Sequence, residues 1–591
     1  MTQPKLELTW IGKDKRPKLE PRILLEDPAK SYHAAARVGD TDQFDNRLIF
    51  GDNLLALRAL ESEFAGKIKC VYIDPPFNTK QAFEHYDDGL EHSIWLGLIR
   101  DRLEIIRKLL SDDGTLFVHI DDNELAYLIV LIDEIFGRSN RISIITFKQG
   151  AATGHKSINP GVVSTSNFVL IYAKNKSSWT PNRVFSARDS RDTRYSQYIE
   201  NFGEGFSKWE FIPLAKAFAR SQDLPEKGLK KALGDEYEKL LSKFVLKNAK
   251  RVVRLARPDY KAVSNEARGM IDRSKAKPHT VMLLKRENHS DMYFVNGERV
   301  LFYSDKLKFI DGEYVAGESL TSIWDDLLSN NLHNEGAVNF PKGKKPEALI
   351  KRCLDLATNA GDWVLDSFAG SGTTGAVAHK MGRKWIMVEL GDHCHTHIIP
   401  RLQKVIDGTD QGGISKAVDW QGGGGFRYYK LAPSLLERDR WGNLTINADY
   451  NAAMLSEALC KQHGYTYAPS ETVFWQQGHA NERSFLYATT QNLSLEQLQV
   501  LAEEVGEHRS LLIIAAAWRG ISGEEASRHW PNLTLKKIPN SILNLCEWGK
   551  DDYSLNVANL PMAQPEPEQP AEKPASKAAN PQQTSLFGEG E

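Results

Sequence analysis

Cysteine is scarce in this chain, long apolar runs are missing, and neither sign of charge dominates. The 591 residues include only five cysteines, without paired spacing, which argues against a disulfide framework and against a cysteine-based zinc module. No apolar run approaches the ~20 residues of a membrane helix, and the first residues lack the basic-then-apolar pattern of a secretion signal. We therefore expect a cytoplasmic protein that does not associate with membranes.

Composition is otherwise that of an ordinary globular protein, with 26% charged and 41% hydrophobic residues, and the length predicts two to four domains. The formal net charge of −2 does not by itself indicate any class of partner. One region differs, because Leu241 to Ile310 holds sixteen lysines and arginines against seven acidic residues. This block is either a phosphate-binding surface or a solvated face that its neighbours compensate.

A short apolar run followed by two prolines is the first motif with a chemical meaning. Cys70–Ile73 predicts a buried parallel strand, which Pro75 and Pro76 end abruptly. Asp74 and Phe77 are then expected at the carboxyl edge of a sheet, where open α/β folds place ligands. There Asp74 and the carbonyl of Pro75 could accept the hydrogens of a nucleobase amine, and Phe77 could stack on a base rotated out of its duplex. Taken alone, the turn could equally do no more than end a strand.

The second motif lies almost three hundred residues later, in WVLDSFAGSGTT at positions 363–374. A strand runs into a turn with Gly370 and Gly372, which allow the backbone to approach a ligand, and a helix presents its N-terminus there. The next strand ends at Glu389, 19 positions after Gly370. An acidic residue at an interval of ~20 meets the ribose hydroxyls in nucleotide-binding βαβ units. The succession of elements therefore predicts a nucleotide-like ligand.

The two motifs together resemble those of the S-adenosylmethionine-dependent amino-methyltransferases of DNA. The Asp-Pro-Pro-Phe motif precedes the glycine-rich one, an order similar to the permuted β-class, which includes the modification subunits of type III restriction systems. The resemblance covers most of residues 40–430, and Ser367 stands where many members have proline. It implies a doubly wound, mostly parallel Rossmann-like α/β sheet with an inserted target-recognition region and a small C-terminal α/β domain.

The resemblance also assigns roles to individual residues. It places the target amine at Asp74, Pro75, Pro76 and Phe77. It makes S-adenosylmethionine the cofactor, bound by Asp366, Phe368, Gly370, Gly372 and Glu389, with Asp52 near its adenine and Lys345 near its methionine part. Asp52 could equally cap a helix, and Lys345 could be a solvated surface lysine.

No metal site is expected from the sequence. His393, His395 and His397 are close together, but their alternate spacing at the start of a helix splays the side chains, and no carboxylate is arranged with them.

The function implied by the resemblance is methyl transfer to the N6 amine of adenine in duplex DNA, within a restriction-modification or related defence system. Transfer to N4 of cytosine is an alternative, although the family usually has serine at the position of Asp74 in cytosine enzymes. A DNA-binding specificity subunit without catalysis is another. A homodimer is expected because a two-part domain must wrap the DNA, and a nuclease-helicase partner is implied by the resemblance alone.

Six segments are predicted from the changes in pattern. They are an N-terminal arm (1–40), the first catalytic half (41–173), a target-recognition insertion (174–320), the cofactor-binding half (321–431), a C-terminal α/β domain (432–560) and a disordered tail (561–591). In the tail, Gln583 to Phe587 resembles the peptide with which bacterial proteins dock on the sliding clamp. With only five residues matched, coincidence is an equal explanation.

Overall fold

The computed structural model describes residues 7–40, 42–76, 88–149, 161–188, 190–287, 289–310, 312–327, 335–336, 340, 344–538 and 542–554. Up to residue 173 the chain forms strands and helices, which alternate between residues 46 and 132. The elements are β1 (Leu24–Glu26), β2 (Tyr32–His33), β3 (Asn46–Phe50), α1 (Asn53–Phe64), β4 (Ile68–Ile73), α2 (Asp88–Leu109), β5 (Leu110–Ile120), α3 (Leu125–Ile132), β6 (Arg141–Lys148) and β7 (Ser166–Ala173).

The next segment folds apart from the central sheet until its last strand. Its elements are β8 (Phe185–Ala187), β9 (Gln197–Ile199), β10 (Phe211–Pro213), α4 (Leu214–Ser221), α5 (Leu229–Leu233), α6 (Tyr237–Lys247), β11 (Val252–Ala256), α7 (Asn265–Ala276), β12 (Met282–Leu284), β13 (Met292–Val295), β14 (Glu298–Phe302), β15 (Leu307–Ile310), β16 (Glu313–Ser319) and β17 (Ile323–Trp324). Strands β9–β14 form one antiparallel sheet and β8, β15 and β16 another, whereas β17 rejoins the central sheet beside β6.

The chain then returns to the central sheet and ends in a second α/β unit. The returning elements are α8 (Glu347–Ala357), β18 (Trp363–Asp366), α9 (Thr373–Lys380), β19 (Lys384–Glu389), α10 (Ile399–Ile406) and β20 (Gly425–Leu431). The last unit contains β21 (Leu436–Arg438), β22 (Leu444–Ile446), α11 (Ala452–His463), β23 (Thr466–Tyr467), β24 (Gly478–Asn481), β25 (Ser484–Leu493), α12 (Leu495–Val505), β26 (Ser510–Trp518), α13 (Gly523–His529) and β27 (Leu533–Lys537).

The central sheet has the order β1-β20-β3-β19-β18-β4-β5-β7-β6-β17, with β2 also on β20. The run from β20 to β5 is parallel, and the pairs that β7 makes with β5 and β6 are antiparallel. Strand β18 pairs with β4 so that Val364 lies opposite Cys70 and Leu365 opposite Val71. The mostly parallel sheet and the adjacency of the two motifs are therefore confirmed.

Both faces of the sheet are covered, as a doubly wound fold requires. One apolar cluster joins the sheet to α1, α2 and α3, and a second joins the opposite face to α8, α9 and α10. The N-terminal segment packs on the first cluster through Leu8, Trp10 and Leu19. In the part of the chain that the structure describes, no helix combines the length and apolarity needed to cross a membrane.

Four buried charged side chains tie α8, α9 and α10 together on the second face. Lys380 Nζ lies 2.9 Å from Glu347 Oε2 and 2.8 Å from Asp410 Oδ2, and Arg401 Nη2 lies 2.7 Å from Glu347 Oε1. Burial raises the pKa of Glu347, but Arg401 and Lys380 outweigh this effect and hold the pKa below its ordinary value. Arg401 also donates to the carbonyl of Ser371 at 3.1 Å, so the cluster supports the glycine-rich turn from behind.

Replacing Lys380 with methionine is expected to destabilise the protein by about 3–5 kcal/mol, because Glu347 and Asp410 lose a cation that compensates their buried charge. The free energy of unfolding in denaturant measures the effect. The matched control is Lys239→Met, which breaks an exposed pair with Glu236 and should cost less than about 1 kcal/mol. Equal losses in the two variants would contradict a supporting role for the buried cluster.

Candidate active site

A cavity of about 430 Å³ lies at the carboxyl edge of the parallel strands, between the two motifs. Its size is typical of a site for a small molecule. Six of the predicted site residues line it, namely Asp52, Asp74, Pro76, Phe368, Gly370 and Glu389. The remaining wall consists of Asn53, Leu98, Arg102, Phe340, Ser367, Val388, Leu390, Gly391, His393 and Ser554, none of which we predicted from the sequence.

The glycine-rich turn is shaped by backbone conformations that side chains rarely permit. Gly370 and Gly372 have φ values of 53° and 73°, in the left-handed region. A Cβ atom on Gly372 would lie 3.0 Å from the Ile398 side chain. Glu389 holds the turn, because its Oε2 accepts a hydrogen bond from the Gly370 N–H at 2.7 Å and its Oε1 accepts one from Gly391 at 2.9 Å. The acid after β19 thus organises the turn as well as lining the cavity.

Asp366 lies beneath the turn rather than on the cavity wall. Its Oδ1 accepts a hydrogen bond from the Phe368 N–H at 2.9 Å, and its Oδ2 accepts one from the Thr374 hydroxyl at 2.5 Å. Burial raises the pKa of Asp366 to about 7 despite these two hydrogen bonds, and the nearby charges of Asp74 and Glu389 add to the increase. The structure therefore gives Asp366 and Gly372 a part in shaping the turn, without bringing them to the cavity wall.

Asp74 stands at the other side of the cavity with its two oxygens in different surroundings. Lys345 Nζ lies 2.6 Å from Oδ2. The buried Oδ1 atom has no hydrogen-bond partner among the residues that the structure describes. Burial raises the pKa of Asp74 and Lys345 counteracts this effect, with a net increase. The pairing places Lys345 at the predicted amine-binding residue, a contact that we did not predict.

The turn after Asp74 is held from two sides. Trp95 Nε1 donates to the carbonyl of Pro76 at 2.9 Å. Behind Asp74, the buried His119 Nδ1 lies 3.8 Å from Oδ1, and its Nε2 lies 3.0 Å from the side-chain nitrogen of Asn167. Burial and the charge of Lys345 lower the pKa of His119 well below its ordinary value. A neutral imidazole thus lies behind the carboxylate. No sequence pattern predicts this, because His119 lies inside an apolar strand.

Asp52 caps helix α1, so the capping role that the sequence left open for this residue is confirmed. Its Oδ1 accepts from the N–H groups of Leu54 and Leu55 at 2.9 and 3.1 Å. The neighbouring Asn53 donates to the carbonyl of Ser367 at 2.7 Å, and so links the start of α1 to the glycine-rich motif. Buried Arg102 contacts both residues, with Nη2 3.6 Å from Asp52 and Nε 2.5 Å from Asn53.

The three histidines after β19 point to three different partners. His393 Nε2 lies 3.1 Å from Glu389, His395 Nε2 lies 2.9 Å from the Tyr428 hydroxyl, and His397 lies beside Thr396. Within the described ranges, no group of three His, Cys, Asp or Glu side chains is placed to hold a metal ion. Phe77 and the segment Gln583 to Phe587 lie outside the described residues.

Residues 68–399, more than half of the chain, match the family model of the N6/N4 DNA methylases. The chain belongs to this DNA methylase family. It is 34% identical over 472 residues to the "Probable type III restriction-modification enzyme HindVI Mod subunit" of Haemophilus influenzae, which covers 74% of this chain and 61% of the relative. The EcoP15I Mod subunit of Escherichia coli is 26% identical, with 65% of this chain and 63% of that relative covered.

A shorter match is closer in sequence. The DNA adenine methyltransferase YhdJ of Escherichia coli is 60% identical over 69 residues, which are 12% of this chain and 23% of that protein. The chain spans about three fifths of the length of the two Mod subunits.

The raised pKa of Asp366 predicts a component of stability that falls as the pH rises. A carboxyl in the unfolded chain titrates near ~3.9, so between about pH 4 and 7 the folded chain holds a proton that the unfolded chain has released. The free energy of unfolding should therefore decrease over this range, by up to about 1.4 kcal/mol per pH unit from this group. Asp366→Asn keeps an acceptor for the Phe368 N–H but cannot titrate, so its slope should be shallower. Denaturant unfolding between about pH 5 and 8 compares the two slopes, and identical slopes would contradict the raised pKa.

Proposed function

We propose that this chain is an S-adenosylmethionine-dependent DNA methyltransferase that modifies the N6 amine of adenine in duplex DNA. The observation that carries the proposal is Asp74, which lines the cavity between the two motifs and whose buried Oδ1 atom has no hydrogen-bond partner among the described residues. A buried acceptor without a partner costs free energy unless a ligand supplies a hydrogen-bond donor. An exocyclic amine of an extruded base supplies one.

The cavity also fits the methyl donor. Phe368, Leu98 and Leu390 offer apolar surface, Glu389 is placed for a ribose, and the carboxylates near the turn suit a ligand that carries positive charge. When bound, the donor supplies an electrophilic methyl group on a sulfonium. The residues that would hold it are Asp52, Phe368, Gly370 and Glu389, with Asp366 and Gly372 fixing the shape of the turn.

The chain's own part in the reaction is positioning and hydrogen bonding. Lys345 holds Oδ2 of Asp74, which leaves Oδ1 to accept a hydrogen from the amine and to direct its lone pair toward the donor. Transfer of the methyl group would break its bond to sulfur, leaving a neutral thioether, and would leave the amine nitrogen cationic with an acidic proton. Asp74 would accept that proton, and burial, which raises its pKa, makes it a better acceptor than an exposed aspartate. His119 is neutral and keeps the carboxylate in place from behind.

Adenine is favoured over cytosine by the aspartate at position 74, because the family usually has serine there in cytosine enzymes. The similarity to YhdJ, named a DNA adenine methyltransferase, supports the same choice. A catalytically dead specificity subunit is disfavoured because the cavity is formed and both motifs meet at it.

The insertion at 174–320 is proposed to contact the DNA. Many of the basic residues between Leu241 and Ile310 are exposed, including Lys243, Lys247, Lys250, Arg257, Lys261, Arg273, Lys275, Lys277 and Lys285. Exposed cations on helices α6 and α7 and the loops beside them suit contacts to phosphates, which give affinity without specifying sequence. The interpretation as a compensated face accounts less well for so many exposed cations.

Partners are proposed from the relatives. The two Mod subunits are named as subunits of restriction-modification enzymes, which supports a restriction subunit as partner of this chain. A homodimer and docking on a sliding clamp through Gln583 to Phe587 remain proposals that the family and the sequence suggest.

Asp74→Ala should abolish methylation of DNA while leaving the affinity for S-adenosylmethionine within about threefold of the original, because Asp74 is assigned to the amine rather than to the donor. Transfer of labelled methyl groups and calorimetric binding of the donor measure the two effects. Digestion of the modified DNA to nucleosides distinguishes N6-methyladenine from N4-methylcytosine.

The matched control for this variant is Asp326→Ala. It also removes an aspartate from an ion pair with a basic side chain, Arg352, but lies outside the cavity, and it should retain methylation. Continued methylation by Asp74→Ala would refute the assigned role of this residue.

A further inference from the structure

A short segment after the C-terminal α/β unit returns to the cavity, although no sequence motif marks it. We call residues Asp551 to Ser554 the strap. Ser554 lines the cavity, and the side chain of Tyr553 packs against the apolar cluster under α1 and α2. The C-terminal unit therefore contributes directly to a site that the two catalytic motifs otherwise form.

The backbone of the strap makes two hydrogen bonds to buried charged groups. The Tyr553 N–H donates to Oδ2 of Asp52 at 2.8 Å, and the Tyr553 carbonyl accepts from Nη2 of Arg102 at 3.1 Å. Asp52 and Arg102 are almost completely buried. Hydrogen bonds of this kind, between a backbone group and a charged side chain, are stronger than neutral ones.

These contacts continue as a polar chain to the glycine-rich motif. Arg102 Nε donates to the side-chain oxygen of Asn53 at 2.5 Å, and Asn53 donates in turn to the carbonyl of Ser367 at 2.7 Å. Ser367 directly precedes Phe368 on the cavity wall. A shift of the strap therefore has a connected route to the residues that surround the ligand.

The strap is anchored at both ends to parts of the chain outside the catalytic sheet. Asp551 accepts a hydrogen bond at 2.6 Å from Nη2 of Arg22, and Nη1 of the same arginine donates to the carbonyl of Ala432 at 2.7 Å. The Tyr553 hydroxyl donates to Glu547 at 3.1 Å. The N-terminal segment and the C-terminal unit thus hold the strap together.

From these contacts we propose that the strap is a wall of the methyl-donor site and that Tyr553 is a positioning residue, whose backbone fixes Asp52 and Arg102 for donor binding. This inference rests on the proposed function. It assigns the C-terminal unit a specific role, because docking of that unit on the N-terminal segment would set the affinity for the donor.

The test compares two substitutions at the same position in the full-length chain. Tyr553→Ala removes the ring and hydroxyl but keeps the backbone N–H, whereas Tyr553→Pro removes the N–H donor as well. We expect the Kd for S-adenosylmethionine to be about tenfold higher in the proline variant than in the alanine variant, because only proline removes the hydrogen bond to Asp52.

Steady-state kinetics separate positioning from general damage. In Tyr553→Pro, the KM for the methyl donor should rise while the KM for DNA stays unchanged. Tyr553→Ala should retain most of the affinity of the original chain for the methyl donor. Equal donor affinity in the two variants, parallel losses for donor and DNA, or tighter donor binding in Tyr553→Pro would each overturn the proposal. The last result would mean that the strap competes with the donor.

A second variant serves if Tyr553→Pro does not fold. Asp551→Ala releases the strap from Arg22, which retains its bonds to Glu20 and Ala432. A donor Kd about threefold higher than that of the original chain supports the proposal, and an unchanged Kd overturns it. If the original chain itself binds no donor, the proposed function has failed and not merely the inference about the strap.

Discussion

The parallel pairing of β18 with β4 is the constraint on which the site depends. These strands are separated by nearly three hundred residues in the chain, yet they lie side by side with their carboxyl ends in register. Parallel strands end at the same edge, so the pairing forces Asp74 and the turn after Asp366 to face one cavity. A slip of one residue would exchange the side chains that pack on the two covered faces of the sheet. Burial on both faces of β4 and β18 opposes such a slip.

The site concentrates carboxylates, and the fold keeps each one in a different state. Glu389 is satisfied by backbone N–H groups, Asp366 by a backbone N–H and a hydroxyl, and Asp74 by Lys345 on one oxygen only. Burial raises the pKa values of Asp366 and Asp74, whereas the cluster behind the turn neutralises its own acids with Lys380 and Arg401. A ligand with positive charge would relieve the repulsion among the acids at the cavity. A substrate group with a free N–H would supply a hydrogen bond to the remaining oxygen of Asp74.

The sheet and the two motifs can be predicted from the sequence because local patterns encode them. The apolar run of β4, the two prolines, the glycines and the interval to Glu389 each act through neighbouring residues. The structure brings Asp74, Pro76, Gly370 and Glu389 to one cavity, whereas Gly372 lies off its wall. Arg102 and His119 could not be predicted, because their partners come from distant segments of the chain. In the sequence, Arg102 is one of several charged residues in a predicted helix. Its contacts with Asp52, Asn53 and Tyr553 are visible only in the folded chain. The strap could not be predicted either, because its contacts with Asp52 and Arg102 are made by backbone groups, which leave no pattern in the sequence.

The position of the strap bears on why a C-terminal unit without a chemical motif accompanies a methylase. The unit has its own parallel strands, β25 to β27, and one apolar cluster of its own, while Ile23 and Leu25 of the N-terminal segment contribute to its other cluster. The strap at residues 551–554 nevertheless reaches Asp52, beside the proposed donor site. The backbone of this segment forms hydrogen bonds with two buried charged side chains of the catalytic part, Asp52 and Arg102. The buried ends of Asp52 and Arg102 are costly to leave without partners, and the backbone of the strap supplies one hydrogen bond to each. The arrangement makes the C-terminal unit part of the active site's framework, through backbone hydrogen bonds rather than through catalytic side chains.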